Sequence, residues 1–443
     1  VASDQDGIYA LDANYQRKAH FLPASEGGTV PSAIVDIEEN IDGRLWIGSY
    51  TEGFGWLDTV TGQYHRASFS YGNAQSIFDI RHDKKGNLWL GTLGDGLKCY
   101  NPFNDKLQEF RANGTQKNLP NDFILQMALS PDESTLYVGT SSGLATFDVR
   151  THKWNAVLGG KSILDNQNIY SILDDGMGHI WIGTSQGLHC FDIKTKKLTV
   201  YTTADGLPDK RVCAIEKDNQ GNLWISTNNG LARFRPDTKK VECFYGSDGL
   251  QGNEYGPGIS FYDKKANMMF FGGTSGVSYF NPSKVKIGNE RLSVIISSIN
   301  VSGERVTSFA KSGMFEICSE AVSYADRFDF CHADNSISIH FSTLTYSGTE
   351  RLSYKYSING DDWVTLPSGE NTISLYRLSP GDYHFRVIAV DNGVQSPVKE
   401  FTVVVHNPWY FTPLARIFYL LVLIGFVLWY LRLLRVRNDE RLR

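Results

Sequence analysis

The chain has 443 residues, of which 41% are hydrophobic and 21% charged, so it is long enough for two or three domains with substantial cores. Its net charge of −5 shows no excess of basic residues, which argues against a nucleic-acid partner. Aromatic residues make up 13% of the chain and 42 residues are glycine, a composition typical of β-rich proteins with many turns.

A short apolar motif with a central aromatic residue recurs six times in the first two-thirds of the chain, at a spacing of 43 to 48 residues. A period in the forties with an aromatic residue inside a short strand is typical of a β-propeller, in which each repeat forms one four-stranded blade. We therefore predict a propeller over residues 1–286. The motif occupies Leu45–Ser49, Leu88–Thr92, Leu136–Thr140, Ile180–Thr184, Leu223–Thr227 and the more divergent Met269–Gly273.

Each repeat divides into four short strands by its alternation and its turn glycines. In the repeat around Trp181, the run Ile169–Ile172 precedes the Trp strand, Gly187–Asp192 follows it, and a weaker strand closes the unit. Gly7–Asp12 matches the third strand of a repeat without a Trp strand before it, so counting this partial copy predicts a propeller of the seven-bladed type. We expect its other strands to lie upstream of Val1, or the closure to be imperfect, and the chain to be a fragment.

The recurring Trp residues have a structural interpretation. A large flat side chain at one position per blade fills the wedge between blades, and its burial contributes about 2–3 kcal/mol. A ladder of sugar-stacking rings is the alternative, but these residues lie at strand centres and not in loops.

No catalytic constellation is apparent in the sequence. There is no P-loop or HExxH motif, and the six cysteines lack metal-ligand spacing, so we expect no catalytic residue, metal or cofactor in this segment. The recurring acids Asp36, Asp79, Asp174 and Asp175 favour hydrogen bonding and turn capping over catalysis. We interpret most of the cysteines as buried free thiols. One disulfide, between Cys318 and Cys331, stays open as an alternative in an oxidising compartment.

The repeat stops after Asn281-Pro282, and residues 287–407 contain short alternating strands such as Ser336–Phe341 and Tyr383–Val390. Turn signals such as Asn359-Gly360 separate these strands. About 120 residues with this pattern predict an immunoglobulin-like β-sandwich.

A strongly apolar segment follows a juxtamembrane stretch at 408–413. Residues 414–434 contain only two charges, Arg416 and Arg432, both near the ends. At ~1.5 Å per residue, 21 residues span a hydrocarbon core of ~30 Å, which predicts one transmembrane helix. Arg residues dominate the end of the chain, so the positive-inside rule places 435–443 in the cytoplasm and everything before residue 414 in the periplasm, with the helix in the inner membrane.

Several motifs together resemble a known family. The sequence Leu-Trp-Ile-Gly-Thr followed by Gly-Leu-x-x-Phe-Asp resembles the two-component regulator propeller repeat, and Asp248–Tyr255 with Gly276–Pro282 is similar to the last blade of that family. Tyr354-x-Tyr356, Trp363 and Leu378–Phe385 resemble the triple-Tyr domain. The order of these parts resembles the sensor region of hybrid two-component regulators that detect polysaccharide breakdown products.

The resemblance implies a periplasmic sensor that recognises an oligosaccharide and signals through the sandwich and the helix as a homodimer. In that family two propellers precede the triple-Tyr domain and a histidine kinase follows the helix. We expect the first propeller and the output to be missing from this chain. The open alternatives are a membrane-anchored scaffold for a protein partner, and the same sensor joined to a DNA-binding or nucleotide-cyclising output.

Propeller ligands usually bind at loops, so we expect specificity to lie in the loops that follow each Trp strand and those that lead into the next blade. Amide, carboxylate, Arg and aromatic side chains there suit a hydroxyl-rich or anionic oligosaccharide. The candidate ligand-binding residues are Tyr50, Asp122, Phe123, Asn168, Lys210, Arg211, Asn228, Asn229, Glu254 and Tyr255.

Overall fold

Antiparallel sheets dominate the computed structural model of the chain. The model separates into two compact units, Val1–Lys286 and Ile287–Arg443. It describes residues 1–3, 5–67, 76–114, 118–155, 164–285, 292–343, 351–367, 369–411 and 413–441.

The described residues of the first unit form seven antiparallel sheets, whose strands neighbour one another in chain order. Sheet 1 contains β1 (Ala2–Ser3), β2 (Gly7–Leu11) and β3 (Arg17–Phe21); sheet 2 contains β4 (Ile34–Glu39), β5 (Leu45–Ser49), β6 (Phe54–Leu57) and β7 (Tyr64–Arg66). Sheet 3 contains β8 (Ile77–His82), β9 (Leu88–Thr92), β10 (Leu97–Asn101) and β11 (Lys106–Phe110); sheet 4 contains β12 (Ile124–Leu129), β13 (Thr135–Thr140), β14 (Gly143–Asp148) and β15 (Lys153–Asn155). Sheet 5 contains β16 (Ile169–Asp174), β17 (His179–Thr184), β18 (Gly187–Asp192) and β19 (Leu198–Tyr201). Sheet 6 contains β20 (Val212–Lys217), β21 (Leu223–Thr227), β22 (Gly230–Arg235) and β23 (Lys240–Phe244); sheet 7 contains β24 (Tyr255–Asp263), β25 (Met268–Gly273) and β26 (Gly276–Phe280). Short 3-10 helices lie at Ala24–Glu26, Thr203–Asp205, Gly246–Asp248 and Pro282–Lys284.

The first strands of sheets 2 to 7 contact one another in sequence, so they are the inner strands of a propeller. A recurring polar residue links these strands from blade to blade. Asp36 Oδ2 accepts from the Ile80 amide at 2.7 Å, and Asp79 Oδ2 accepts from the Met127 amide at 2.7 Å. The hydrogen-bonding role predicted for these two acids is confirmed. Asp174 and Asp175 lie at other blade positions, where they bind turn amides.

The Trp side chains lie in the wedges between blades. Trp89 and Trp181 are 0% and 3% exposed, and each ring packs edge-on at about 5.5 Å against a Phe on the third strand of the next sheet, Phe147 and Phe234 respectively. This burial confirms the structural interpretation and leaves no exposed Trp ladder on these strands.

A buried carboxylate holds each of three Trp rings in place, a feature that we did not predict. Asp218 Oδ2 accepts from Trp224 Nε1 at 3.0 Å, while Asp218 Oδ1 accepts from two backbone amides of the turn. Asp83 with Trp89 and Asp175 with Trp181 repeat the arrangement at 3.3 and 3.4 Å. The turn residue and the Trp are six positions apart in each case.

Sheets 1 and 7 are brought together by aromatic contacts. Tyr15, in the β2–β3 turn, lies 5.6 Å from the Phe270 ring and 5.3 Å from the Tyr279 ring of sheet 7, measured between centroids. These contacts close the ring of seven sheets.

The second unit contains a β-sandwich. Its core combines Ile299 and Ile337 of one sheet with Phe328, Phe385 and Phe401 of the other. One sheet has the order β28-β27-β32-β35, the other has the order β31-β38-β36-β33-β34 with β37 beside β36, and β29 pairs with β30. The strands are β27 (Ile295–Val301), β28 (Glu304–Arg305), β29 (Lys311–Ser312), β30 (Phe315–Glu316), β31 (Arg327–Cys331), β32 (Ser336–Ser342), β33 (Ser353–Ile358), β34 (Val364–Thr365), β35 (Thr372–Tyr376), β36 (Gly381–Asp391), β37 (Val394–Gln395) and β38 (Lys399–His406). Cys318 and Cys331 are both free thiols, so the conceivable disulfide does not form.

The helix α1 (Pro413–Arg441) follows a 3-10 turn at Trp409–Phe411. Its segment Pro413–Arg435 has 23 residues, is long and apolar enough to cross a membrane, and is not buried against the protein. Among the described residues it is the one candidate membrane span. It contains the predicted segment 414–434.

Candidate ligand-binding face of the propeller

Two sets of loops meet at one end of the blades. Backbone hydrogen bonds join the loop after the second strand to the segment that leads into the first strand of the same sheet. The amide of Asn228 donates to the Arg211 carbonyl at 3.3 Å, and that of Ser141 to the Phe123 carbonyl at 3.0 Å. We call this end the loop face; it comprises the loops at 50–53, 93–96, 141–142, 185–186, 228–229 and 274–275 and the described segments that enter β4, β8, β12, β16, β20 and β24.

A polar and aromatic cluster bridges sheets 5 and 6 on the loop face. The guanidinium carbon of Arg211 lies 4.8 Å from the centroid of the Tyr170 ring, and the Asn168 amide donates to the Tyr170 hydroxyl at 3.2 Å. Arg211 directly precedes β20, and Tyr170 is the second residue of β16. The ladder shifts register between Ile169 and Ser171, so Tyr170 is left out of the regular pairing. This cluster, Asn168, Tyr170 and Arg211, is the Arg211 cluster below.

The guanidinium of Arg211 is not neutralised by any carboxylate that the structure describes. Its Nε is buried and has no hydrogen-bond partner among the described residues.

The thiol of Cys213 lies close enough to Asp209, Arg211 and Glu254 for their charges to act on it. Burial raises the pKa of Cys213 to about 11, with smaller opposing effects from these charges, so this thiol stays protonated at neutral pH.

An insertion in β24 lies beside the cluster. Tyr255 pairs with Gly273 but Ser260 pairs with Phe271, so the intervening residues of β24 leave the ladder. Gly258 has a φ of 72°, and a Cβ there would lie 3.6 Å from the Tyr170 carbonyl oxygen and 2.7 Å from Gln126 Oε1. The insertion therefore passes against β12 and β16, and the side chain of Ile259, which is 52% exposed, lies over Gly256 and Gly272 of sheet 7.

The structure divides the predicted site residues into three groups. Asn168 and Arg211 belong to the Arg211 cluster, the backbone of Asn228 is bound to that of Arg211, and Glu254 lies at the entry to β24 on the same loop face. The second group, Tyr50, Phe123, Lys210 and Asn229, has exposed side chains on the loop face.

Two predicted site residues are used inside the protein. Asp122 Oδ1 accepts from the Ala112 amide at 2.7 Å, so this carboxylate fixes the loop. Tyr255 is 2% exposed, and its hydroxyl lies 3.1 Å from Ser278 Oγ. Because its side chain lies within sheet 7, Tyr255 does not present a ring to a ligand on the loop face.

A second charged cluster lies among the inner strands. The guanidinium of Arg81 binds Asp79 at 2.7 Å and the Met127 carbonyl at 3.0 Å, with Asp36 and Glu38 at 4.0 and 3.9 Å. Burial raises the pKa of Asp36 and raises that of Asp79 further. Arg81 thus ties three inner strands together. In the described part of the chain, no group of three or more His, Cys, Asp or Glu side chains is placed to hold a metal ion.

Two family models match the chain in the order in which its units occur. The model described as "Two component regulator propeller" matches residues 71–94, 163–186 and 206–229, and the model described as "Y_Y_Y domain" matches 345–406. The chain carries two-component regulator propeller repeats and a Y_Y_Y domain. The second and third propeller matches contain all three residues of the Arg211 cluster.

One solved structure supports the fold of the chain, and two others align with lower TM-scores. The extracellular domain of the hybrid two component system BT3049 from B. thetaiotaomicron aligns with a TM-score of 0.72 at 20% identity, over 92% of this chain and 53% of that one. The chain thus spans about half the length of this relative. The extracellular domain of BT4673 from the same organism aligns over 91% and 67% of the two chains at 17% identity, with a TM-score of 0.36. PorZ, a surface component of the type-IX secretion system of Porphyromonas gingivalis, aligns over 84% and 51% at 15% identity, with a TM-score of 0.45. No curated protein sequence matches the chain.

Proposed function

We propose that this chain is the ligand-sensing portion of a membrane-anchored two-component regulator, and that its loop face binds a polysaccharide-derived oligosaccharide. The observation that carries the proposal is the Arg211 cluster, which combines an aromatic ring, an amide and a cation without a carboxylate partner among the described residues. Sugar rings are bound by such sets of groups, through stacking and hydrogen bonds to hydroxyls.

The membrane segment supports a transmembrane arrangement. The length and apolar composition of Pro413–Arg435 support a helix that crosses a membrane, and the excess of Arg at the end of the chain supports a cytoplasmic position for that end. We propose that the propeller and sandwich lie in the periplasm, that the helix crosses the inner membrane, and that the output is a cytoplasmic histidine kinase of the same regulator.

Signalling requires a ligand that binds two states of the receptor with different affinity. In the proposed mechanism, two copies pair, and ligand on the loop face changes the geometry of the pair through the sandwich and helix. The chain itself has the role of a receptor, and the chemistry belongs to the kinase.

Titration calorimetry of the complete chain in detergent micelles against a library of oligosaccharides tests this proposal. Saturable binding of one structural class, weakened by Arg211→Gln and unchanged by Arg150→Gln, is the expected result. Arg150 is a matched control because its side chain is 72% exposed and lies in the β14–β15 turn, at the opposite end of the blades. No binding by any oligosaccharide, together with a stable glycan-independent protein complex from periplasmic extract, would favour a protein-binding scaffold instead.

A further inference from the structure

The bonding of Arg211 differs from that of several other arginines in the propeller. Arg81, Arg111, Arg233 and Arg235 each have a carboxylate oxygen within 2.8 Å. Among the described residues Arg211 has no ion pair, and its charged group rests on the Tyr170 ring. Carboxylates of the propeller thus form ion pairs with these four guanidinium groups. The guanidinium of Arg211 is left to bind a group outside the described residues.

The surroundings of Arg211 suit a small anionic group. The Tyr170 ring supports one face of the guanidinium, which fixes the planar fork that matches a carboxylate or sulfate in two parallel hydrogen bonds. The Tyr170 hydroxyl and the Asn168 amide lie next to it, and both bind sugar hydroxyls well.

We propose that Arg211 selects an acidic sugar residue, binding the carboxylate of a uronic acid or the sulfate of a sulfated sugar, while Tyr170 and Asn168 contact the same ring. This inference rests on the proposed function, because it assumes that the ligand is a saccharide. It adds the chemical class of that saccharide and names the side chain that recognises it.

The acids near Arg211 define a second consequence. Glu254 is exposed on the loop face, where its carbonyl accepts from the Thr274 amide, and Asp209 Oδ1 accepts from the backbone amide of Arg211 at 2.8 Å. Because a negative charge on the loop face opposes the approach of an anionic ligand, we expect Glu254→Gln to strengthen the binding of an acidic sugar. A neutral sugar gains nothing from that change.

The experiment uses a panel of length-matched oligosaccharides in three arms: oligogalacturonides with their methyl esters, sulfated oligosaccharides with their desulfated forms, and neutral oligosaccharides. Binding to the complete chain in micelles is measured for wild type, Arg211→Gln, Arg211→Lys and Glu254→Gln. The acidic member of one pair should bind more tightly than its neutral counterpart. Arg211→Gln should weaken that binding about 10- to 100-fold and Arg211→Lys by less, since lysine keeps the charge and loses the fork.

The panel separates failure of this inference from failure of the proposed function. An Arg211-dependent preference for free uronates identifies the carboxylate as the group recognised, and one for sulfated forms identifies the sulfate; either supports the inference. Binding of neutral sugars that Arg211→Gln leaves intact, or an acid preference that survives both Arg211 variants, overturns the inference and leaves the proposed function standing. Binding of no oligosaccharide overturns both. An unchanged thermal unfolding midpoint in Arg211→Lys shows that its loss of binding is not a loss of fold.

Discussion

The bond from Asp218 to Trp224 makes a quantitative prediction about what holds a blade together. Asp218 is 5% exposed and accepts four hydrogen bonds: two backbone amides of the turn at Oδ1, and Asn222 Nδ2 and Trp224 Nε1 at Oδ2. In Asp218→Asn, either orientation of the new amide leaves two of these donors facing an NH2 group. With the NH2 group at the position of Oδ1, these are the two backbone amides of the turn. With it at the position of Oδ2, they are Asn222 Nδ2 and the Nε1 of Trp224, which is 1% exposed and cannot turn to water.

The magnitude follows from those two losses. A buried donor without an acceptor costs about 1–3 kcal/mol, and the partly exposed Asn222 amide adds about 1 kcal/mol, so we expect a loss of about 2–4 kcal/mol of unfolding free energy. Urea denaturation of the complete chain in micelles, followed by Trp fluorescence, measures this loss as a lower midpoint. A large effect in this one turn would show that the Asp–Trp pair, and not the Trp ring alone, stabilises the blade.

Asp263→Asn is the matched control. The Asp263 carboxylate accepts from the backbone amides of Lys265 and Ala266 through a single oxygen, which the asparagine Oδ1 retains. We expect a change within about 0.5 kcal/mol for this variant. Equal midpoints for Asp218→Asn and Asp263→Asn would refute the reasoning.

Two further predictions concern other buried polar groups in the propeller, each measured by the same urea unfolding. Trp46 is 2% exposed and its Nε1 has no partner among the described residues, because Asn40 stands where other blades have Asp and its amide donates to Gly86 instead. Asn40→Asp should raise the unfolding free energy by up to about 1 kcal/mol, and a fall as large as that of Asp218→Asn would contradict the account. Burial lowers the pKa of His189 below its ordinary 6.5, so the unfolded chain takes up this proton at a higher pH than the folded chain does. The folded state therefore loses stability as the pH falls below about 6.5, by at most about 1.4 kcal/mol per pH unit, and His189→Gln should flatten the curve between pH 7 and pH 5. Parallel curves for wild type and variant would show that His189 does not contribute.

The strands were the most predictable part of the molecule. The motif Leu88–Thr92 predicts a strand with the same bounds as β9, because alternation and turn glycines are local signals repeated in every blade. The all-β architecture of the propeller and the sandwich was likewise predicted, from periodicity. The apolar helix was predicted from its length and composition.

The bonds between turn carboxylates and Trp rings within a blade were less predictable. The six-residue spacing of Asp83 with Trp89, and of Asp218 with Trp224, is visible in the sequence, but we did not predict a bond from it. The bond from each acid to the indole becomes apparent only when the turn is folded.

The candidate site shows the same limit. Arg211 and Asn168 were predicted from loop composition, but Tyr170, which lies between them, was assigned to a strand and left out. The bulge after Ile169 removes Tyr170 from the ladder, and Arg211 comes to it from the next sheet. Tyr255 was predicted to lie on the surface because it follows polar residues, yet it lies in the core of sheet 7. Side-chain direction and contacts between blades depend on tertiary structure, which loop composition does not encode.

The central claim is that an oligosaccharide binds on the loop face at the Arg211 cluster, and hydrogen exchange of the complete chain with and without a bound oligosaccharide tests it most directly. The account predicts protection in peptides that cover 164–172 and 209–216, with no change in the turns at the opposite end of the same blades, such as 175–179 and 218–222. Protection confined to those opposite turns or to the sandwich would contradict it.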